Sequence, residues 1–126
     1  MRAVALVALG LFALTPPAFA VVAEARPTYP LCSVEKLRSC IENGNTFWYG
    51  GEYMRLQDVG LVTQAACAAS TERLFDLLNH QEIFVFRYGS DGQGHTLAHV
   101  IAGGQDVGQV LIAEGLAQAG GGAFCN

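Results

Sequence analysis

Two short strand-like runs joined by a pair of glycines constrain the fold of this chain more than any other feature. Residues 46–49 and 52–57 are rich in aromatic and apolar side chains, as β-strands are. The Gly50-Gly51 pair lies between them, and a two-glycine connection between strand-like runs predicts a tight β-hairpin. Asn43-Gly44 predicts a second turn before the first run, because both residue types tolerate positive φ.

The sequence after the hairpin alternates between helical and strand patterns. Apolar side chains at helical spacing predict a first helix at 65–79. Residues 83–86 and 96–101 are apolar runs that predict two further strands, with a glycine-rich connector at 89–94 between them. This order of strands and helix indicates a small mixed fold of β and α elements.

A second helix is predicted near the end of the chain. Asp106 is typical of a helix N-cap, and Gln109 three residues later fits the capping-box pattern. Apolar residues after Asp106 extend this helix over 107–114, and Gly115 then weakens its continuation. Two helices are therefore available to pack on the predicted strands.

Residues 1–20 have the pattern of a secretory signal peptide. Arg2 supplies the positive end, residues 3–14 an apolar run, and residues 18–20 a small-x-small cleavage site. The apolar run is shorter than the roughly 20 residues that a membrane span needs, and an uncleaved anchor is the alternative. Residues 21–31 then form an irregular lead. We expect a secreted or periplasmic protein with no membrane span after signal cleavage.

The charge of the mature chain disfavours a nucleic-acid partner. The full chain has 7 basic and 11 acidic residues, and removing the signal peptide takes away only Arg2. The remaining 6 basic and 11 acidic residues give a net charge of −5. Proteins that bind nucleic-acid phosphates gain affinity from lysines and arginines. The sequence contains no cluster of basic residues.

The cysteine pattern predicts a disulfide framework. Cys32, Cys40, Cys67 and Cys125 follow the signal peptide, and no Cys-x-x-Cys occurs. An even number of cysteines in a small secreted domain favours two bridges over metal ligation. Three pairings are possible. We favour Cys32–Cys40, which is local, together with Cys67–Cys125, which would attach the end of the chain to the start of the first helix.

The hairpin region resembles the thermonuclease (staphylococcal nuclease-like) family. Residues 43–46 read Asn-Gly-Asn-Thr where the family has Asp-Gly-Asp-Thr. Residues 54–63 read Met-Arg-Leu-Gln-Asp-Val-Gly-Leu-Val-Thr where many secreted members read Ile-Arg-Ile-Ala-Asp-Ile-Asp-Ala-Pro-Glu. The similarity continues through Cys67, the helix-like residues 70–79, residues 91–100 and residues 106–117, and it covers most of the chain after residue 31.

This resemblance implies both a fold and an activity. The implied fold is a small OB-type antiparallel barrel of about five strands with two packed helices, over residues 32–126. The implied activity is hydrolysis of phosphodiesters in DNA and RNA. In the family, two aspartates hold a calcium ion, a glutamate activates water, and two arginines contact the phosphate.

Most of the positions that match this catalytic set carry other residue types. Asn45 and Gly60 stand at the two calcium aspartates, and Thr63 stands at the general-base glutamate. Arg55 retains one arginine, whereas His95 replaces the other. Because a general base alone contributes about 10²–10⁴ in rate, we expect no cleavage by the family mechanism and no cofactor. Calcium would be needed only if an active site had been rebuilt from other residues.

Each of these positions also has a structural interpretation. Arg55 would pair with a carboxylate such as Asp58 or keep an anion contact. Asn45 would be a turn or strand-edge residue. Thr63 would cap the first helix, since threonine is a favoured capping residue. His95 would lie on the surface after a glycine turn, or make a weak, pH-dependent phosphate contact.

The first alternative function is an active nuclease with relocated metal ligands. It would draw on Asp58 and Glu42 as carboxylates, with His95 and Arg55 nearby. His99 alternates in register with His95, so the two imidazoles could share one strand face. Two histidines without a third ligand make a poor metal site.

The favoured function is therefore a secreted or periplasmic thermonuclease-like domain without its catalytic set, which has a binding or structural role. A second alternative is a protein-interaction module of the cell envelope. It would use an exposed aromatic cluster formed by Phe47, Trp48 and Tyr49. Fold alone does not choose between these roles.

Overall fold

The computed structural model of the protein describes residues 10, 28–33, 38–60, 63–121 and 125. The predicted signal peptide, apart from Gly10, and residues 21–27 of the predicted lead lie outside these ranges. Within the described ranges, no helix combines the length and apolar character needed to cross a bilayer.

The described residues form eight strands and two helices, which confirms the mixed β and α class. In chain order they are β1 Cys40–Asn43, β2 Thr46–Tyr49, β3 Glu52–Leu56, β4 Val59–Gly60, α1 Ala66–Asn79, β5 Ile83–Ser90, β6 Thr96–Ala102, β7 Gln105–Asp106, α2 Val107–Ala113 and β8 Gln118–Ala119.

The main sheet has the strand order β1-β2-β3-β6-β5, with β7 added to β6, and β4 pairs with β8 in a separate two-stranded sheet. Every pairing is antiparallel except that of β3 with β6, which is parallel. The all-antiparallel prediction is wrong for this pair. Because α1 and β5 lie between β3 and β6 in the chain, the chain can cross over and return in the same direction. The described strand pairings do not close a barrel.

The predicted hairpin between β2 and β3 is confirmed. Gly50 and Gly51 have φ of 58° and 88°, so both central residues adopt the positive φ that a type I′ turn requires. β3 ends at Leu56, one residue earlier than predicted. Two residues further on, Asp58 has a φ of 58°, and this conformation turns the chain away from the strand direction.

β1 is a strand that the sequence analysis did not predict. It pairs with β2, and the Asn43 side chain accepts a hydrogen bond from the Asn45 amide at 3.1 Å within the connecting turn. Gly44 lies in this turn against α1, where an added Cβ would overlap the Cβ of Ser70. Glycine at this position therefore lets α1 pack close to the hairpin formed by β1 and β2.

β5 is longer than predicted, because its pairing with β6 continues to Ser90. The register shifts between Arg87 and Gly89, where the strand forms a β-bulge. Gly89 has a φ of 133°, a conformation that glycine adopts more readily than other residues. Gly89 and Ser90, which were predicted to belong to the 89–94 connector, are therefore part of β5.

The two helices lie close to their predicted bounds. α1 begins at Ala66, one residue later than predicted, and α2 ends at Ala113 with Glu114 as its C-cap. The predicted N-cap of α2 is confirmed, since Asp106 Oδ1 accepts a hydrogen bond from the Gln109 amide at 3.0 Å.

The hydrophobic core lies between the main sheet and the two helices. Alternate residues of β6, namely Ala98, Val100 and Ala102, are buried, as the two-residue period of a strand requires. Leu74 and Leu78 of α1 and Leu111 of α2 are also fully buried. The largest fully buried strand side chains are Phe47, Ile41 and Met54.

Both predicted disulfides are present. Cys32 bonds to Cys40, and Cys67 bonds to Cys125, which are 58 residues apart in the chain. Two disulfides are compatible with a periplasmic or extracellular location, because structural disulfides persist in oxidising compartments.

Candidate functional site

The structure brings Arg55 and His95 together around one carboxylate, that of Asp91. Arg55 Nη1 lies 2.8 Å from Asp91 Oδ2, and His95 Nδ1 lies 2.7 Å from the same oxygen. The Arg55 side chain is only 12% exposed, and the side chains of Asp91 and His95 are each 10% exposed. A single carboxylate oxygen in a partly buried site therefore joins the two positions at which the resemblance places phosphate-binding arginines.

The other oxygen of Asp91 shapes the loop between β5 and β6. Asp91 Oδ1 accepts hydrogen bonds from the Gln93 amide at 2.7 Å and the His95 amide at 3.1 Å. Burial acts to raise the pKa of Asp91, but these amides and the His95 ring outweigh burial, so the pKa of Asp91 is lowered. The role of Asp91 was not predicted from the sequence. Its position four residues before His95 in a glycine-rich loop was the available signal.

The predicted pairing of Arg55 with a carboxylate is confirmed, and Asp91 is a carboxylate that it contacts. The parallel pairing of β3 with β6 sets Arg55 beside Leu97, which brings the loop before β6 to the guanidinium. Asp58 instead lies in the turn after β3. Asp58 is only three residues from Arg55 in the sequence, whereas the Asp91 contact depends on the pairing of β3 with β6.

Aromatic side chains cover one side of this cluster. The Tyr53 ring lies 4.2 Å from the His95 ring between centroids, and it stacks on Trp48 at 4.4 Å. The Tyr53 hydroxyl donates a hydrogen bond to Glu42. Burial, followed by this hydrogen bond, raises the pKa of Tyr53 to about 12. Glu42, a candidate metal ligand if the protein were a nuclease with relocated ligands, thus accepts a hydrogen bond from Tyr53.

His95 and His99 contact different carboxylates. His99 Nδ1 lies 2.9 Å from Asp106 Oδ2, and the edge of its ring faces Tyr88 at 4.8 Å. His95 is bound to Asp91 at the other end of β6. Among the described residues, no three His, Cys, Asp or Glu side chains lie close enough together to hold a metal ion.

Asn45, which stands where the resemblance places the first calcium aspartate, has a structural role in the core. It is fully buried, and its Nδ2 donates to the Val59 carbonyl at 3.1 Å. Its Oδ1 accepts a hydrogen bond from Thr46 Oγ1, also at 3.1 Å. Asn45 lies in a turn, as predicted, but both ends of its amide are bound inside the protein.

Gly60 and Thr63 also contribute to the fold. Gly60, at the second predicted calcium position, is buried in β4 and pairs with Gln118 of β8. Thr63 Oγ1 accepts a hydrogen bond from the Ala66 amide at 3.1 Å. Thr63 is not the N-cap of α1 that the sequence predicted: Ala65 occupies that position without a side-chain cap hydrogen bond, and Thr63 closes the turn that leads into the helix.

A cleft of about 330 Å³ opens beside the Arg55–Asp91 pair. Its lining includes Arg55, Gln57, Asp58, Asp91 and Gln93, which come from the end of β3 and from the loop before β6. The Oε1 atom of Gln57 is buried and accepts no hydrogen bond from the described residues. The cleft thus presents carboxylate and amide oxygens around a single guanidinium.

The prediction of an exposed cluster at Phe47, Trp48 and Tyr49 is wrong. Strand alternation turns Phe47 into the core, where it is fully buried, and Tyr49 packs against the core beside Tyr29. Trp48 stacks on Tyr53. Local sequence does not show which face of a strand the helices will cover.

The exposed aromatic residues lie instead on β5. Phe84, Phe86 and Tyr88 are 54%, 54% and 61% exposed, and they occur at every second position of the strand. Alternate residues of a strand point to the same face, so these three side chains form one stripe. We call Phe84, Phe86 and Tyr88 the aromatic stripe.

No protein-family model matches this chain, and a search of the curated proteins returns no match. The resemblance to the thermonuclease family therefore stays a prediction drawn from residues 43–46 and 54–63.

Proposed function

We propose that the mature chain is a thermonuclease-like domain of the OB type that has lost its catalytic set and acts by binding. One observation carries this proposal: the Asp91 carboxylate bridges Arg55 and His95. By the resemblance, these two side chains stand where the family binds the scissile phosphate. Here their hydrogen bonds are directed at a carboxylate of the same chain.

A phosphate would bind poorly to this arrangement. Its charge would meet that of Asp91 at close range in a partly buried site, where like charges repel strongly. Transition-state stabilisation requires donors aimed at the reacting oxygens before reaction, and Arg55 and His95 are aimed at Asp91. The charge of −5 on the mature chain adds to the repulsion of a nucleic acid.

The roles of Asn45, Gly60 and Thr63 support the same proposal. Asn45 binds a backbone carbonyl in the core, Gly60 extends β4, and Thr63 closes the turn before α1. None of these residues offers a carboxylate to a hard cation or to a water molecule.

The OB-type assignment is supported by the sheet order and by one contact across the sheet. Arg87 of β5 lies 2.8 Å from Glu52 at the start of β3, and its guanidinium lies 5.9 Å from the Tyr49 ring centroid. β5 and β3 are not neighbours in the strand order, so this contact indicates a strongly curved sheet.

The proposed location is the periplasm or the extracellular space. The signal-peptide pattern of residues 1–20 and the two disulfides support it. We propose no metal or organic cofactor for the binding role.

Plasmid nicking tests the loss of catalysis. We expect the purified mature protein to leave supercoiled DNA intact in calcium and in chelator alike, and Arg55→Ala to give the same result. An active secreted thermonuclease serves as the positive control. Chelator-sensitive cleavage by the unmodified protein would contradict the proposal and would favour a nuclease with relocated ligands, with Asp58 as the first residue to replace.

A second candidate function, a protein-interaction module, is favoured by the aromatic stripe. Three half-exposed aromatic side chains on one strand face are costly to leave in water and are typical of binding surfaces. The predicted interaction surface therefore moves from the hairpin to β5. Affinity purification from the native compartment, with Phe86→Ala as the comparison, tests whether this surface engages a partner.

A further inference from the structure

β5 has an open edge in the main sheet. It is the last strand in the order, and within the described residues its backbone pairs with β6 alone. The opposite end of the sheet is different. There, the Ile41 amide bonds to the Pro30 carbonyl and the Cys32 amide bonds to the Ile41 carbonyl, each at 2.8 Å, so the outer edge of β1 is covered.

The first five residues of β5 form a regular strand segment before the bulge. Residues 83–87 contain neither proline nor lysine, which natural proteins use to protect exposed edges. Phe84 and Phe86 expose about half of their surface on one face of this segment. An uninterrupted edge with exposed aromatic side chains is suited to pairing with another β-strand.

We propose that β5 pairs antiparallel with β5 of a second copy of the chain, which joins two main sheets into one. This inference rests on the interaction role proposed above and names its partner. Side chains directly opposite each other in an antiparallel pair share a face. A two-fold axis through Val85 satisfies this condition and pairs all five regular residues. It sets Phe84 opposite Phe86 of the second copy, and Ile83 opposite Arg87.

Charge along the strand favours this arrangement. Glu82 immediately precedes the segment and Arg87 ends it. Antiparallel pairing about Val85 places Glu82 of one copy next in sequence to Ile83, the residue opposite Arg87 of the other copy, whereas parallel pairing would place like charges together. Glu52 already contacts Arg87 within each copy, so the edge carries little repulsion despite the negative charge of the whole chain.

The exposed area decides the strength of the dimer. Phe84 and Phe86 each expose roughly 100 Å², about half of an aromatic side chain, so the four rings supply about 400 Å². Stable complexes bury about 1,200–2,000 Å². Backbone hydrogen bonds and neighbouring side chains add to the ring area but leave a small interface. We therefore expect a reversible dimer that dissociates on dilution.

Sedimentation velocity from low micromolar to near-millimolar protein tests the proposal. The mature, disulfide-bonded protein should pass from monomer to dimer as concentration rises. Phe84→Lys and Phe86→Glu should each raise the dimer dissociation constant about tenfold or more, because each substitution occurs twice in the dimer. Both side chains are half exposed, so the fold should persist, and circular dichroism checks this. Leu31→Lys, at an exposed apolar residue outside β5, is the matched control and should leave the dissociation constant unchanged.

The double variant Phe84→Lys with Phe86→Glu tests the register. In the proposed dimer the introduced lysine lies opposite the introduced glutamate at two places, so dimerisation should recover relative to either single variant. A wild-type protein that stays monomeric, a dimer insensitive to both single variants, or a double variant weaker than both would overturn the proposal. Capture of a foreign extended peptide by a monomeric wild type would also overturn it. Plasmid nicking measures the loss of catalysis independently of all these outcomes.

Discussion

At the scale of single residues, Asp91 organises the candidate site. Its two oxygens accept four hydrogen bonds, from Arg55, Gln93 and His95, the last through both ring and amide. This carboxylate holds the loop before β6 and contacts both the Arg55 guanidinium and the His95 ring. The same contacts that order the loop occupy Nη1 of Arg55 and Nδ1 of His95.

Asp91 should make the stability of the protein depend on acid pH. Its pKa is lowered in the folded state, so its ionised form stabilises the fold above the unfolded-state value of about 3.9. This contribution should be lost as pH falls through the folded-state pKa. Urea unfolding at a series of pH values should show a smaller loss of stability in acid for Asp91→Asn than for the wild type.

The exposed carboxylate of Asp76 provides the control for that experiment. Asp76→Asn should keep the wild-type pH dependence, because half of this side chain lies in solvent, where charge interactions are screened. An Asp91→Asn protein whose stability falls with acid as steeply as the wild type would show that Asp91 does not couple folding to pH.

Replacing Asn45 by the aspartate that the resemblance places at this position should destabilise the protein. Asn45→Asp removes the buried donor to the Val59 carbonyl and sets a carboxylate against that oxygen. We expect a loss of about 1–3 kcal/mol in the free energy of unfolding, measured in urea at neutral pH. Asn43→Asp is the matched control: its side-chain oxygen accepts from the Asn45 amide, and a carboxylate can do the same. Equal stability of the two variants would contradict the structural role of Asn45.

At the scale of elements, close packing between α1 and the turn after β1 fixes the position of the helix. Gly44 lies directly against Ser70, and Ser70 Oγ donates a hydrogen bond to the Leu116 carbonyl at 2.5 Å. The helix therefore contacts the turn between β1 and β2 on one side and the segment after α2 on the other. Little room remains for movement of α1 relative to the sheet.

Gly44→Ala should therefore destabilise the protein by about 1–3 kcal/mol, the usual cost of overpacking a well-filled site. Thermal and urea unfolding measure the change. Gly121→Ala is the matched control, because an added Cβ there meets no atom within 4 Å and the backbone is not in the positive-φ region. A Gly44→Ala protein as stable as the wild type would show that α1 can shift without cost.

At the scale of the whole molecule, the two disulfides constrain very different lengths of chain. Cys67 and Cys125 are 58 residues apart and connect the start of α1 to the end of the chain, whereas Cys32 and Cys40 are 8 residues apart. A crosslink that closes a longer loop removes more entropy from the unfolded chain.

Cys125→Ser should lower the free energy of unfolding more than Cys32→Ser. The chain-entropy relation gives about 4.2 kcal/mol for the long loop and about 2.6 kcal/mol for the short one. Urea unfolding under oxidising conditions measures both losses. A larger loss for Cys32→Ser would show that local contacts around β1 outweigh the entropy of the long loop.

Much of the local structure follows from the sequence alone, because short-range chemistry decides it. Gly50 and Gly51 require a hairpin, since few other residues accept positive φ at both positions. Asp106 starts α2, and helical periodicity locates α1 within one residue of its observed start. The local pairing of Cys32 with Cys40 leaves Cys67 and Cys125 to bond to each other.

Tertiary structure decided which faces are covered and which distant residues meet. Phe47 and Phe84 both lie in aromatic-rich strands, yet helix packing covers Phe47 and leaves Phe84 half exposed. Arg55 meets Asp91, 36 residues away in the sequence, because β3 and β6 pair in parallel. Turn and helix signals act over a few residues, whereas burial and ion pairing depend on strand order and helix placement. The candidate site and the open edge of β5 are products of that long-range arrangement.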